Sequence, residues 1–343
     1  MKAEMTDIPH GRPDGCEARV CVALTEDGVA LPVVDITNPA FACDFSDEQL
    51  AAIAERTRRG LARSKRLPTF VLRLLGRRSV IMRGMLANPS FVSGMITYLF
   101  KLGPEILPPA FGDRLDRRML STIGPVACRL RLREAARQIA DALSPLLTRR
   151  NGPLRLINIA GGVAADAFNA LLLLQREQPA LLVNREIRLA VLDIDSDGPA
   201  FGSRAVAALT AEQAPLAGLN VTLEHSFYDW NNASALAGIL GGLPADAVAA
   251  GSSEGGLFEY ADDEIIVSNL VALRAATPPD FVMVGSLVRD DNLAWFTRGA
   301  GSLELRPRGL AAFGALVEGA GWAIRQTMTD PLYHVVTLKK ANS

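Results

Sequence analysis

Two consecutive glycines, Gly161 and Gly162, follow an apolar run at residues 154–159 and precede a helical pattern that starts near Ala164. Glycine permits backbone turns that a side chain would block, and it lets a ligand approach the main chain closely. Such a loop between a strand and a helix is typical of ligand binding, although a tight turn that binds nothing has the same pattern. We favour ligand binding because a second apolar run ends in a carboxylate.

That carboxylate is Asp193, which ends the apolar run at residues 190–192. The carboxyl ends of parallel strands lie along one edge of a sheet, so Asp193 is expected beside the glycine loop. A carboxylate at this position can accept hydrogen bonds from both hydroxyls of a ribose. Asp195 and Asp197 follow closely, and we interpret them as caps of the next helix.

A third strand is predicted to end in an aromatic group, in a chain that is only 6% aromatic overall. Phe227, Tyr228 and Trp230 surround Asp229 there. An adenine ring needs flat apolar neighbours and an acceptor for its exocyclic amine, which Phe227 or Tyr228 together with Asp229 would provide. Packing in the core is the alternative interpretation of these aromatic residues.

Short β-rich runs alternate with helical patterns over the second half of the chain. The predicted strands lie at residues 154–159, 187–193, 221–225, 247–251 and 281–287, and the helices start near residues 164, 198, 233, 262 and 307. This alternation requires a mostly parallel sheet covered on both faces. Two closing runs, 322–327 and 333–339, are separated by too few residues for a helical crossover, so they are expected to pair as an antiparallel hairpin. The predicted fold class is therefore α/β, a Rossmann-like, mostly parallel sheet with a C-terminal antiparallel hairpin.

The first half of the chain has a different pattern, which predicts an N-terminal, mainly helical cap. Residues 1–45 form an extension in which two apolar runs flank an Asp-Gly turn, a pattern typical of a β-hairpin. Residues 46–150 open with a capping box of Ser46 and Gln49 and continue as helices interrupted by prolines. We expect them to form a cap, or lid, over a ligand-binding domain of residues 151–343.

The net charge of −1 conceals a strongly basic segment. Residues 51–150 carry 20 basic and 6 acidic side chains, whereas residues 1–50 carry 3 and 10, and residues 151–343 carry 13 and 21. The basic residues either pair with the acidic C-terminal domain or attract an anionic acceptor or an acidic carrier protein. Nucleic acid is the least favoured partner, because the arginines are not interleaved with aromatic side chains on which bases would stack.

Composition also excludes several classes of protein. The charge-free stretch at residues 84–100 is interrupted by polar residues, so no transmembrane helix is expected. The first thirty residues lack the continuous apolar region of a secretory signal. With only three histidines, far apart in sequence, no bound metal is expected. The cysteines form no C-x-x-C pair and predict reduced thiols in a cytoplasmic protein; they are Cys16, Cys21, Cys43 and Cys128.

Taken in chain order, these motifs resemble those of class I S-adenosylmethionine-dependent methyltransferases. The similar segments are AGGVAAD at 160–166, LDID at 192–195, SFYDW at 226–230, AVAAGSSEGGLFEYADDEIIVSNL at 247–270, FVMVGS at 281–286 and a closing hairpin that contains GW. The resemblance covers residues 151–343. The family usually has an acidic residue at the end of the first strand, where this chain has Asn158, and G-x-G-x-G, where it has Ala-Gly-Gly. Backbone contacts by the loop survive this departure, whereas the usual acidic contact with the cofactor's amino group is put in doubt.

The resemblance implies S-adenosylmethionine as cofactor and methyl transfer to a small-molecule acceptor by in-line displacement at the sulfonium methyl. The implied cofactor-binding residues are Ala160, Gly161 and Gly162 along the methionine part, Asp193 at the ribose, Phe227, Tyr228 and Asp229 around the adenine, Ser252 at the end of the fourth strand, and Arg133 in the helix before the first strand. An arginine such as Arg133 can hold a carboxylate through two parallel hydrogen bonds. The candidate catalytic residues are Glu254 and Tyr260.

Three alternatives remain open at this stage. Ala160, Gly162 and Ala165 partly match a nicotinamide-binding fingerprint, but about thirty residues separate Gly162 from Asp193, where the fingerprint expects about 20. Azetidine-2-carboxylate synthases have a methyltransferase-like fold and close the aminobutyrate chain of S-adenosylmethionine itself, releasing methylthioadenosine. The third alternative is a non-catalytic module that binds a partner through its basic face.

Overall fold

A computed structural model of the chain describes residues 5–8, 18–64, 76–77, 79–87, 92–291 and 304–341. It contains a three-stranded sheet near the N-terminus and a seven-stranded sheet in the second half. Cys21, Cys43 and Cys128 are buried free thiols, as expected, and Cys16 lies outside the described residues.

The N-terminal half begins with strands and continues with helices. Its elements are β1 (Met5–Ile8), β2 (Ala18–Leu24), β3 (Ala30–Pro32), α1 (Asp47–Ser64), α2 (Val80–Ala87), α3 (Gly94–Leu102), α4 (Arg114–Leu120) and α5 (Ile123–Arg149). Strands β2 and β3 pair antiparallel, which confirms the hairpin, and β1 adds a third strand beside β2. Ser46 and Gln49 form the expected reciprocal cap before α1.

The C-terminal half alternates strands and helices before a final pair of strands. Its elements are β4 (Leu154–Ile159), α6 (Ala165–Glu177), β5 (Glu186–Asp193), α7 (Asp197–Thr210), β6 (Asn220–Phe227), α8 (Ala235–Leu240), β7 (Val248–Ser253), α9 (Leu257–Tyr260), α10 (Asp263–Ala276), β8 (Val282–Val288), α11 (Leu310–Gly319), β9 (Trp322–Thr329) and β10 (Tyr333–Lys340). Each of the seven predicted strands is present within a few residues of its expected bounds.

The large sheet has the strand order β6-β5-β4-β7-β8-β10-β9. Strands β4 to β8 pair parallel with one another, whereas β10 is antiparallel to both β8 and β9. The predicted fold class is confirmed: a Rossmann-like, mostly parallel sheet that ends in an antiparallel hairpin. The chain runs outward from β4 to β6 on one side and from β7 to β8 on the other. Strand order therefore reverses between β4 and β7, which is where open sheets of this kind bind ligands.

Helices cover this sheet on both faces, because alternate residues of β4 enter two separate hydrophobic clusters. Leu154 and Leu156 pack in one cluster with residues of α3 and α5 to α7. Ile157 and Ile159 pack in the other with residues of α8 to α11. Every residue of β4 and β7 is buried, which is consistent with the many apolar and small residues in these strands.

The N-terminal half shares the first of these clusters with the sheet. Helix α5 lies against β7, β8 and β10, and strand β2 packs on α7. The compositional boundary near residue 150 therefore falls within one continuous core. Helix α5 packs on the sheet, and helices α1 to α4 make up the rest of the segment predicted to be a cap.

Ion pairs connect the basic segment to the acidic C-terminal half. Arg137 on α5 pairs with Glu177 on α6, with 2.6 Å between Nη2 and Oε1. Arg150 pairs with Asp280 before β8. Internal pairing therefore accounts for part of the excess positive charge. Within the described ranges, no helix combines the length and apolarity needed to cross a bilayer.

Candidate functional site

The loop between β4 and α6 has a strained backbone. Ala160, Gly162 and Ala164 have φ angles of 53°, 58° and 57°, in the left-handed region. Two of these three residues are alanines, for which this conformation is unfavourable. Strain of this kind persists only where the surroundings impose it, and it is concentrated at functional sites.

Asn158, the residue that replaces the family's acidic side chain, fixes the shape of this loop. Its Oδ1 accepts the Gly161 N–H at 3.0 Å, and its Nδ2 donates to Asp166 Oδ1 at 2.9 Å and to Ser252 Oγ at 3.0 Å. A Cβ on Gly161 would lie 2.3 Å from Asn158 Oδ1, so the position requires glycine. The amide is thus engaged beneath the loop.

Asp166, the first acidic residue of α6, is fully buried under the loop. Burial raises the pKa of its carboxyl to about 6, with nearby Glu254 raising it and Lys101 lowering it. Its Oδ2 has no hydrogen-bond partner among the described residues. A protonated carboxyl is therefore favoured at this position below about pH 6.

Asp193 lies beside the glycine loop, as the sequence predicts. Its Oδ2 accepts the Gly162 N–H at 3.1 Å, and its Oδ1 accepts the Asp195 N–H at 2.9 Å. Burial raises the pKa of this carboxyl, and the two backbone N–H groups oppose that effect. The carboxylate therefore lines the cleft while its position is fixed by the backbone of both strand ends.

The end of β6 differs in one residue from the expected adenine site. Tyr228 and Asp229 line the cleft, whereas Phe227 is 73% exposed and does not line it. The Tyr228 hydroxyl donates to Asn269 Oδ1 at 2.5 Å, which fixes the ring. Strand β6 is at the edge of the sheet, and Phe227, its last residue, is exposed to solvent.

Several residues that line the cleft were not assigned a role in binding from the sequence. Ile194, Trp230 and Asn231 lie next to predicted residues in the chain and also line the cleft. Ile194 is 51% exposed, an unusual exposure for a large apolar residue at the end of a buried strand. Thr97 comes from cap helix α3, and no local pattern in the sequence connects it to the glycine loop.

At the end of β7, only part of the prediction is met. The Ser252 side chain is 3% exposed and accepts the Asn158 amide, so it lies beneath the cleft and does not reach a ligand in it. Tyr260 lines the cleft, and burial raises the pKa of its phenol well above the ordinary value. At neutral pH Tyr260 is therefore a hydrogen-bond donor and not a base.

Glu254 is held in a buried ion cluster behind the cleft. Its Oε2 accepts a hydrogen bond from Lys101 Nζ on α3, and its Oε1 accepts one from Arg131 Nε on α5, both at 2.5 Å. Arg131 also pairs with Glu259 at 2.9 Å, and Glu259 accepts the Ser286 hydroxyl at 2.5 Å. Two cations and two carboxylates therefore balance in charge within this cluster.

This geometry argues against a catalytic base at Glu254. Burial raises the pKa of its carboxyl, but Arg131 and Lys101 outweigh that effect and hold the pKa below its ordinary value. Each of its oxygens already accepts a hydrogen bond from a cationic side chain. The residue positions the loop after β7 by joining it to helices α3 and α5.

The structure places Arg133, expected to bind the cofactor, outside the cleft. Its guanidinium donates to the Cys43 carbonyl at 3.0 Å and to Asp44 at 2.7 Å, and it lines a different cavity from the cleft. Residues two apart on a helix point about 200° apart, so Arg131 faces the sheet while Arg133 faces the N-terminal segment. Arg133 therefore lies on a face of α5 that does not line the cleft.

The cleft has a volume of about 380 Å³ and is bounded on one side by the cap. Gly94, at the start of α3, contacts the glycine loop directly: a Cβ on Gly94 would lie 2.8 Å from the Gly162 Cα. Gly198 at the start of α7 is equally close, with a Cβ there 3.0 Å from the same atom. Three glycines thus bring the backbones of the cap, the loop and α7 into contact at the cleft.

We expect Gly94→Ala to lower the free energy of unfolding by about 1–3 kcal/mol, because the added methyl group meets backbone that cannot rotate away. Denaturant unfolding measures the change. Gly60→Ala is the matched control, since nothing lies within 4 Å of a Cβ at that helical position. Equal stability of Gly94→Ala and the wild type would show that α3 does not press on the loop.

Within the part of the chain that the structure describes, no group of three or more histidine, cysteine, aspartate or glutamate side chains could hold a metal ion.

No protein-family model and no curated protein matches this chain. Among solved structures, it is similar to a possible exported protein from Bordetella parapertussis, with 17% identity, a TM-score of 0.56, and coverage of 85% of this chain and 95% of that one. It is also similar to the mitomycin 7-O-methyltransferase MmcR, with 16% identity, a TM-score of 0.41, and coverage of 75% and 65%. It is similar as well to the pyocyanin biosynthetic protein PhzM, with 15% identity, a TM-score of 0.42, and coverage of 66% of this chain and 59% of that one.

The chain therefore spans slightly less than two thirds of the length of MmcR and of PhzM. The first similarity shows a shared fold over nearly the whole of both chains. At TM-scores near 0.4 the other two carry no conclusion about activity.

Proposed function

We propose that this chain binds S-adenosylmethionine in the cleft and transfers its methyl group to a small-molecule acceptor. The observation that carries the proposal is the hydrogen bond between the Gly162 N–H and the Asp193 carboxylate, beside the point where strand order reverses. It brings a backbone surface without side chains next to a carboxylate at the rim of the sheet. A ligand with a compact polar group and a ribose needs both features.

The residues of the cleft fit this cofactor. Its volume of about 380 Å³ lies within the range typical of small-molecule sites. We assign Ala160, Gly161 and Gly162 to the methionine part, and Asp193 to the ribose hydroxyls. Asp229 and Tyr228 lie where the adenine would, and the exposed Ile194 offers an apolar surface to the same ring.

When bound, S-adenosylmethionine supplies a methyl group already activated on a sulfonium. The protein then has to align an acceptor behind that methyl and exclude water. Tyr260 is suited to orient the acceptor, because its phenol keeps its proton and donates a hydrogen bond. Helix α3 supplies the wall that excludes water, through Gly94 and Thr97.

We expect Asp193→Ala to weaken the binding of S-adenosylmethionine by about 1–3 kcal/mol, because the ribose hydroxyls lose their acceptor. Titration calorimetry measures the affinity. Asp197→Ala is the matched control, since Asp197 is an exposed carboxylate four residues away that does not line the cleft.

Because Asp193 also holds the Gly162 and Asp195 amides, Asp193→Asn is the second variant: it keeps one acceptor oxygen and the side-chain volume. Equal affinity of the wild type and both variants would remove the ribose assignment. Tighter binding of NAD than of S-adenosylmethionine would overturn the cofactor.

The acceptor is further constrained by the basic segment. An anionic acceptor or an acidic carrier protein predicts a Michaelis constant that rises steeply with salt, because exposed charges act over only about 8 Å at physiological ionic strength. A small neutral acceptor predicts a constant that salt barely changes. This measurement decides between recruitment by the basic helices and their internal pairing.

A further inference from the structure

A second cavity lies on the far side of Lys101 from the cleft. It has a volume of about 290 Å³ and is enclosed by the segment after β3, by α5 and by the end of α6. Its apolar wall consists of Val34, Ile36, Pro39, Phe41, Ala42 and Leu132. Its cationic side chains are Lys101, Arg129, Arg133 and Arg176. Asp44 is the one acidic side chain that lines it among the described residues.

The cations of this cavity are incompletely matched by protein groups. Arg133 pairs with Asp44, whose side chain is 82% exposed and therefore lies at the rim. Arg176 donates to the Thr37 carbonyl at 3.0 Å. The Nε of Arg129 is buried and has no hydrogen-bond partner among the described residues. A buried guanidinium N–H without an acceptor is costly, so the Arg129 guanidinium is incompletely satisfied by protein groups.

We propose that this cavity binds a small organic oxyanion, a carboxylate or a phosphate monoester with an apolar body. Guanidinium groups match the planar arrangement of two oxygens on carboxylate and phosphate, and they bind both through paired hydrogen bonds. Arg129 and Arg133 hold the oxyanion, and Arg176 adds charge at the rim. The apolar wall takes the remainder of the ligand, which free inorganic phosphate lacks.

The site is distinct from the cleft and adjoins it through one side chain. Lys101 lines the second cavity, and its ammonium bonds to Glu254, a residue that lines the cleft. The ion cluster therefore separates the two ligands, so they bind at the same time and do not compete.

The test uses titration calorimetry on the full chain, at fixed ionic strength, with phenyl phosphate, benzoate and the neutral benzyl alcohol as probes. We expect at least one anion to bind and benzyl alcohol not to bind. Phenyl phosphate alone would assign phosphate monoesters, and benzoate alone would assign carboxylates. Saturating S-adenosylhomocysteine in the cleft should leave the anion's affinity unchanged.

Arg129→Gln should lower the affinity for the anion by about 10- to 100-fold, the loss expected for a hydrogen bond to a charged group. Arg133→Gln is the second variant, because Arg133 is partly exposed and its loss endangers the fold less. Arg149→Gln removes the same charge from the exposed end of the same helix and should bind as the wild type does. The proposal is overturned if neither anion binds the wild type, if both cavity variants bind as tightly as the wild type, or if S-adenosylhomocysteine displaces the anion.

Discussion

Glu254→Gln should lower the free energy of unfolding by about 3–5 kcal/mol, the loss typical of removing one partner from a buried ion pair. Lys101 and Arg131 each lie within 2.5 Å of the Glu254 carboxylate, and all three side chains are at most 3% exposed. The amide keeps the shape of the carboxylate but leaves two buried cations with one carboxylate, Glu259, between them. Urea unfolding of the variant and the wild type measures the difference.

Two further variants separate charge pairing from simple packing. Glu55→Gln removes a carboxylate that pairs with Arg58 and Arg59 on the surface of α1, and we expect little change in stability. Lys101→Met combined with Glu254→Gln removes a cation and a carboxylate together, so the double variant should lose less than the sum of the single changes. If Glu254→Gln unfolds at the same urea concentration as the wild type, the cluster does not exist.

Asp330→Asn should become more stable relative to the wild type by about 4 kcal/mol as pH rises from 4 to 8. Burial raises the pKa of Asp330 to about 7, although the Leu332 and Tyr333 amides oppose this shift by donating to its Oδ1 at 2.7 and 2.8 Å. A carboxyl with a raised pKa in the folded state stabilises the fold below its unfolded pKa and loses that contribution as pH rises through the folded value. The amide has no proton to lose and escapes this loss.

The pH series contains its own control. At pH 4 the difference between variant and wild type measures only the fixed effect of exchanging a hydroxyl for an amino group, because Asp330 is protonated in the folded protein. The change in that difference up to pH 8 isolates the titration. A constant difference across the series would mean that Asp330 titrates near its unfolded pKa.

The sheet was predictable because its strands are short, buried and separated by clear helical patterns. β4 and β7 are buried on both faces, and most of their residues are apolar or small. The closing hairpin followed from chain length alone, since too few residues lie between its two runs for a helix. The relation between the predicted cap and the sheet was not predictable. Helix α5 packs on the sheet, and the composition of its segment does not show which face of the helix does so.

Within the site, the sequence correctly predicts that the glycine loop and Asp193 lie together. Gly162 lies in the loop after β4, and Asp193 ends the adjacent parallel strand β5, so their contact follows from the fold. Phe227 does not line the cleft, and no local pattern in the sequence distinguishes it in this respect from its neighbour Tyr228. The pairing of Lys101 with Glu254 joins residues 153 positions apart, and no local pattern predicts such a contact.

The most direct test of the proposed function is mass spectrometry of the cofactor products after the wild-type chain is incubated with S-adenosylmethionine, alone and with a filtered small-molecule extract. We expect S-adenosylhomocysteine only when the extract is present, and none from either sample with a variant that does not bind the cofactor. Methylthioadenosine formed without the extract would instead indicate cyclisation of the cofactor. Unchanged S-adenosylmethionine in both samples, from a chain that fails to bind it in calorimetry, would contradict the proposed function.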